Sequence, residues 1–135
     1  MALEQHIINT IDSLHIKPNS VIVYDIDGTL IDFNGKPIIP VINTYKYALY
    51  KGLKPVIITA RLGYDLNIQL TKQQLANYGI TSYICMYFIN PDMTNPHLFK
   101  LNSRKHIHEN GYQVEMSLGD SPWDIGLYGG IGIRV

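Results

Sequence analysis

Apolar positions along this chain keep two rhythms, and the rhythms alternate. Leu3, Ile7, Ile8, Ile11 and Leu14 recur at three- and four-residue intervals, which predicts a helix over residues 2–14, broken by Pro18-Asn19-Ser20. Val21-Ile22-Val23-Tyr24 is an unbroken apolar, β-branched run and reads as a buried strand that stops at Asp25-Ile26-Asp27-Gly28. Asn34-Gly35 between Leu30-Ile31 and Ile38-Ile39 predicts a β-hairpin, a small flap beside the strand end. Pro40 opens a second helix, with Val41, Tyr45, Ala48 and Leu49 on one face and Gly52 as its stop. Lys54-Pro55-Val56-Ile57-Ile58-Thr59-Ala60-Arg61 gives a second buried strand that ends in Thr59. A helix from about Tyr64 to Tyr78 follows, with Leu66, Leu70 and Leu75 expected inward and Gly79 ending it. Ser82–Phe88 reads as a third strand, 90–97 as a Pro/Asn-rich loop and Leu98–Asn110 as a helix stopped by Gly111. Gln113–Leu118 is the fourth strand, a short helix starts near Ser121-Pro122, and Ile131–Val135 is the last strand.

Strands alternating with helices predict an α/β fold over 1–135: a three-layer, Rossmann-like core with a mostly parallel five-stranded sheet. Ligands of such sheets sit at the carboxyl ends of the strands. Asp25, Thr59 and Asp120 all fall at such ends, so three separate strands carry polar groups to one rim.

Composition narrows the function classes. Eleven Lys and Arg balance eleven Asp and Glu, so no basic excess favours nucleic acid as a bulk partner, and neutral charge weighs mildly against it. The single cysteine, Cys85, rules out an internal disulfide and reads as a small core residue. The start of the chain shows no basic n-region with an apolar stretch behind it, and no run is long enough to span a bilayer. A cytoplasmic protein with no membrane partner is expected.

Asp25 and Asp27 are two residues apart on a strand end and therefore point to the same side. Asp and Gly commonly punctuate strands, but two carboxylates on one side repel each other and call for a cation, which makes a bound metal the economical reading. Other signals are weaker. His106 and His108 do not share a helical face. Tyr64, Tyr87, Phe88 and Trp123 could stack a nucleobase, but ordinary packing is the favoured reading. Gly129-Gly130-Ile131-Gly132 precedes a strand instead of joining a strand to a helix, so a dinucleotide loop is not expected.

Asp25-Ile26-Asp27-Gly28-Thr29 resembles the first motif of the haloacid dehalogenase superfamily. Val56-Ile57-Ile58-Thr59 resembles the second, and Gly119-Asp120-Ser121-Pro122-Trp123-Asp124 the fourth. The third motif is a lysine, for which Lys100, Lys105 and, less well, Arg104 are candidates. Phe99-Lys100, Arg104, Gly111-Tyr112 and Gly119-Asp120 follow the spacing of the subfamily IIIB acid phosphatases and vegetative storage proteins, with Phe99 where that pattern has Tyr, and this places the motif lysine at Lys100. The resemblance runs from about residue 20 to 128.

It implies a phosphomonoester hydrolase of the haloacid dehalogenase type. Asp25 would be the nucleophile, forming an aspartyl-phosphate, and Asp27 the general acid/base. Thr59 would donate to a phosphoryl oxygen and Lys100 would neutralise charge. Mg²⁺ is the implied cofactor, with Asp25, Asp27, Asp120 and Asp124 as candidate ligands; Asp124 could instead hold Lys100. Gly28, Thr29, Ala60 and Arg61 are the candidate substrate-binding positions, a structural salt bridge being an equal alternative for Arg61. The intervals between motifs are filled by sheet and helix, so no cap domain is expected. The open site leaves substrate choice to the flap, the 90–97 loop or a homo-oligomer partner. A small phosphorylated substrate such as a nucleotide leads. A macromolecular substrate, or a non-catalytic storage-like protein, are the alternatives.

Overall fold

The computed structural model describes residues 2–93 and 95–135; Thr94, inside the expected 90–97 loop, lies outside the described residues. Helix α1 (Ala2–Ser13) leads into strand β1 (Ser20–Tyr24), every residue of which is buried. Helix α2 (Ile39–Lys51) carries Pro40 in its first turn and ends at Gly52 in the left-handed region, φ 97°. Strand β2 (Lys54–Leu62), helix α3 (Asp65–Asn77) and strand β3 (Met86–Ile89) follow. Helix α4 (Pro96–Glu109) starts two residues earlier than its apolar spacing suggested. The Asn95 side chain accepts the Leu98 N–H as an N-cap, and Pro96 fits the first turn, where no N–H partner is needed. Strand β4 (Gln113–Gly119), a single 3₁₀ turn (Pro122–Asp124) and strand β5 (Ile131–Arg134) complete the chain.

The five strands form one sheet in the order β3-β2-β1-β4-β5, and every pair is parallel. Parallel sheets need cover on both faces, and β1 shows how the chain supplies it. Ile22 and Tyr24 point into a core with Ile7 and Ile11 of α1, Val41, Tyr45 and Ala48 of α2 and Leu75 of α3. Val21 and Val23 point the opposite way, against Phe99 and Ile107 of α4. Each such aliphatic side chain taken out of water stabilises the fold by about 1.5–3 kcal/mol. The expected three-layer α/β core without a cap is the one observed. Strand order reverses at β1, with β2 on one side and β4 on the other. The carboxyl ends of β1 and β4 therefore frame a topological switch point, where α/β sheets leave a crevice.

Three expectations are corrected. Leu66 and Leu70 do not face inward: they are 68% and 55% exposed, and of the three leucines expected inward α3 buries Leu75, with Thr71 beside it. Strand β3 begins at Met86, not Ser82, because the Ser82 backbone is engaged by the Tyr45 hydroxyl in place of a neighbouring strand. The hairpin flap contracts to one antiparallel bridge, Ile31 to Pro37. Its turn is built by Asp32, whose side chain accepts the N–H groups of Asn34 and Lys36, and by Gly35 at φ 80°. Among the described residues no helix is long and apolar enough to cross a membrane.

Candidate active site

Asp25 follows β1 directly and Asp120 follows β4 directly, which sets both carboxylates at the switch point. Asp124 joins them from the 3₁₀ turn. One carboxylate oxygen from each of Asp25, Asp120 and Asp124 lies within 4.8 Å of the others. Two glycines make the approach possible. Gly28 sits at φ 82°, and a Cβ there would collide with the Asp120 carboxylate; a Cβ on Gly119 would collide with Asp124.

Lys100 reaches this cluster from the first turns of α4 and is 2% exposed. Its Nζ donates to Asp25 Oδ1 at 2.7 Å and to the Ile58 carbonyl at 2.9 Å, and lies 2.6 Å from Asp124 Oδ1. Thr29 donates its hydroxyl to the other Asp25 oxygen at 3.2 Å. Asp124 Oδ2 accepts the Ser121 N–H at 3.0 Å. Asp124 Oδ1 is buried, and its close partner among the described residues is the Lys100 ammonium.

Three carboxylates around one ammonium leave an excess of negative charge. Burial pushes Asp25 up to about 7; Lys100 opposes that rise, and Asp124 adds to it. Cation binding would remove the excess. The donors are hard carboxylate oxygens and lie close together, which suits Mg²⁺.

Asp27 stands apart from the cluster. Arg61 holds it with two parallel bonds, Nε to Oδ2 at 2.9 Å and Nη2 to Oδ1 at 2.7 Å. Arg61 Nη1 is anchored in turn on Thr71 Oγ1 at 3.2 Å and Gln74 Oε1 at 2.8 Å, both on α3. The salt-bridge alternative for Arg61 is thus the observed one, and the Asp27 carboxylate is not brought to the metal candidates.

Thr59 is fully buried within β2, which continues past it to Leu62 through a register irregularity; its Oγ1 accepts the Arg61 N–H at 3.1 Å, leaving the hydroxyl proton free. The N–H groups of Gly28 and Thr29 are spent on closing the turn, donating to Ile31 and Ile26 carbonyls. Neither is available to a phosphoryl oxygen without opening that turn.

Asp25, Asp27, Ala60, Lys100, Asp120 and Asp124 line a shallow cleft of about 220 Å³, with Phe33, Ser121 and Trp123 at its sides. Phe33 projects from the contracted flap and is 79% exposed. A larger hollow of about 540 Å³ lies between the start of β3 and the end of α4, lined by residues such as Cys85, Tyr87 and His106. It has no carboxylate in its walls, whereas four aspartates line the smaller cleft.

No family model and no curated protein matches the chain. Solved structures do. The chain is similar to part of a chain in the Pnkp1/Rnl/Hen1 complex, with TM-score 0.71 and 20% identity over 89% of this chain and 47% of that one. It is likewise similar to part of a chain in the Pnkp1/Rnl/Hen1 RNA repair complex, with TM-score 0.70 and 21% identity over 87% of this chain and 42% of that one. The likeness establishes the α/β fold. This chain spans less than half the length of either neighbour.

Residue patterns did not expose the anchors of Arg61. Thr71 and Gln74 are polar residues on the inward face of a helix, and apolar spacing alone gives them no partner. Phe33 carried no sequence signal of its own, and Ser121 stood out only as part of the stretch around Asp120 and Asp124.

Proposed function

We propose that this chain is a Mg²⁺-dependent phosphomonoester hydrolase of the haloacid dehalogenase type, working through an aspartyl-phosphate on Asp25. The observation that carries the reading is the buried Lys100 set between Asp25 and Asp124, beside Asp120, at the switch point of the sheet. That arrangement supplies a nucleophile, a fixed positive charge and a set of cation ligands within one crevice.

The chemistry follows from the positions. An Asp25 oxygen attacks phosphorus while the bond to the leaving oxygen breaks, and Asp27 gives that oxygen a proton. Water then attacks phosphorus, returns a proton to Asp27 and releases phosphate, which restores the Asp25 carboxylate. Lys100 offsets the charge that gathers between Asp25 and the phosphoryl group. Asp25, Asp120 and Asp124 would hold Mg²⁺, which would neutralise the carboxylates and so let a phosphate dianion approach.

The cleft of about 220 Å³ takes a phosphoryl group at its aspartates, with Phe33 and Trp123 at its sides to meet the rest of a small substrate. A small phosphomonoester, a nucleotide among them, is the leading substrate class. A phosphorylated nucleic-acid end is the second reading. It is supported by the open, capless cleft and by structural neighbours that belong to an RNA repair complex.

The test is hydrolysis of p-nitrophenyl phosphate, a nucleotide panel and a terminally phosphorylated oligonucleotide, each with Mg²⁺ or EDTA. Turnover that disappears in EDTA is expected. Activity confined to the oligonucleotide would select the second reading, and no turnover of any substrate would overturn both.

Arg61 separates the acid/base step from the rest. In Arg61→Met, Asp27 loses its only fixed partner among the described residues. Turnover of an alkyl phosphate, whose leaving group needs a proton, should fall by about tenfold or more. p-Nitrophenyl phosphate, whose leaving group needs none, should fall less. The pair is part-exposed, so thermal stability should change by less than about 1 kcal/mol. Equal losses on both substrates would remove Asp27 from the acid role.

A further inference from the structure

Arg104 is a fully charged side chain with an unusual set of partners. It lies one helical turn beyond Lys100 on α4, is 2% exposed, and has no carboxylate within ion-pair distance among the described residues. Its guanidinium donates to backbone carbonyls instead: Nε to Leu127 at 2.9 Å, Nη1 to Trp123 at 2.9 Å and Nη2 to Ile125 at 3.4 Å. Burying a guanidinium costs several kcal/mol unless its donors are satisfied. Here all three acceptors come from one short segment, the one that carries Asp124.

Within that segment the Asp124 and Ile125 N–H groups donate to the Ser121 and Pro122 carbonyls and the Gly129 N–H to the Gly126 carbonyl, while the carbonyls of Trp123, Ile125 and Leu127 are held by the arginine. The segment contains a single 3₁₀ turn, then Gly126 at φ 121°, Tyr128 at φ 61° and Gly130 at φ 64°. Tyr128 is the non-glycine residue in the left-handed region, a conformation that persists only where its surroundings impose it. The chain bends around the arginine: a Cβ on Gly129 would lie 3.3 Å from Arg104 Cδ, and one on Gly126 3.9 Å from Nη2.

We propose that Arg104 is a positioning residue for the cation site: it clamps the carbonyls of Trp123, Ile125 and Leu127 and so fixes Asp124 against Lys100 and Asp120. Helix α4 then sets the site twice from one face, through Lys100 on the carboxylates and through Arg104 on the loop that delivers one of them. Arg104 touches neither the substrate cleft nor the carboxylates. The inference rests on the cation-binding part of the proposed function.

The test is cation affinity in the absence of substrate. Trp123 is the only tryptophan in the chain, and its carbonyl is one of the three clamped. Its fluorescence therefore reports the loop, while titration with Mg²⁺ and electron paramagnetic resonance of Mn²⁺ report the site. Arg104→Lys keeps the charge but loses the planar fork. It should weaken Mg²⁺ and Mn²⁺ binding by about 10- to 100-fold, the range for residues that orient metal ligands, and shift Trp123 emission. Far-ultraviolet circular dichroism should stay unchanged. Lys105→Ala, on the exposed side of the same turn, should bind as wild type.

Affinity within twofold of wild type in folded Arg104→Lys would overturn the assignment. If Arg104→Lys does not fold, Gly126→Ala leaves the arginine in place and displaces the carbonyls it holds; there too an unchanged affinity would overturn it, and a matching loss would support it. A wild-type protein that binds neither cation at millimolar concentration would overturn the metal reading and this inference together. Wild-type binding with an unaltered variant would overturn this inference alone.

Discussion

Asp25→Asn should abolish turnover by about 10³-fold or more and, at the same time, make the metal-free protein melt higher at pH 8. The two effects share a cause. Asp25 is 7% exposed and faces other carboxylates, so its ionised form is held in the fold at a cost, and its pKa rises from 3.8 to about 7. A carboxyl with a raised folded-state pKa contributes its full stability only below its unfolded value. That contribution is lost as pH rises through the folded one. The ceiling on the burden above pH 7 is about 4 kcal/mol at 1.36 kcal/mol per pKa unit. The amide carries no such burden, but it gives up the charge paired with Lys100, so a net gain of about 1–2 kcal/mol, or several degrees in Tm, is expected.

The decisive measurement is the difference in Tm between Asp25→Asn and wild type in EDTA, taken at pH 5 and pH 8. The difference should grow with pH, since wild type loses stability across that window and the variant does not. Adding Mg²⁺ should raise the wild-type Tm more than the variant's, because the cation relieves a charge the variant lacks. A difference that stays flat with pH would mean that Asp25 is not held against its own ionisation. Residual turnover in the variant would remove it as nucleophile.

Much of the site was legible because strands announce themselves and their ends are short. The β-branched run before Asp25 and the apolar run before Gly119-Asp120 fixed two carboxylates to one rim without any side-chain coordinates. The third strand and α3 show where such reading stops. Two stripes compete on α3, Leu66 with Leu70 and Ile68 with Thr71 and Leu75, and with two apolar residues in each, apolar content does not choose between them. The second wins because Thr71 and Gln74 must reach the Arg61 guanidinium, so polar residues occupy the inward face and leucines are turned to water. At Asp27 the same limit applies. Spacing put it beside Asp25, but its partner came from β2, and no local pattern links Asp27 to Arg61 across 34 positions. Arg104 was visible as a motif residue, yet its use of three carbonyls depends on a loop whose path needs Gly126, Gly129 and Gly130 together.

Lys100→Met should both destabilise and silence the protein, and its comparison with Lys105→Met decides which lysine serves the site. Lys100 is buried between Asp25 and Asp124, whereas Lys105 lies on the exposed side of α4. Removing one member of a buried ion cluster strands the others; the usual loss is about 3–5 kcal/mol. Methionine fills most of the lysine's volume, so the loss reports charge and not a cavity. Lys105→Met should stay within about 0.5 kcal/mol of wild type and keep its turnover.

Mg²⁺ distinguishes the two duties of Lys100. With the ammonium gone, the carboxylates carry one more uncompensated charge, so Mg²⁺ should recover a larger part of the lost stability in Lys100→Met than it adds to wild type. It should not recover turnover, because a cation among Asp25, Asp120 and Asp124 does not replace a donor aimed from Ile58 at Asp25 Oδ1. Chemical denaturation with and without Mg²⁺, run beside p-nitrophenyl phosphate hydrolysis, reads both quantities from one preparation. Turnover retained in Lys100→Met but lost in Lys105→Met would transfer the role one turn along the helix. Turnover restored to Lys100→Met by Mg²⁺ alone would reduce the lysine to a counter-ion.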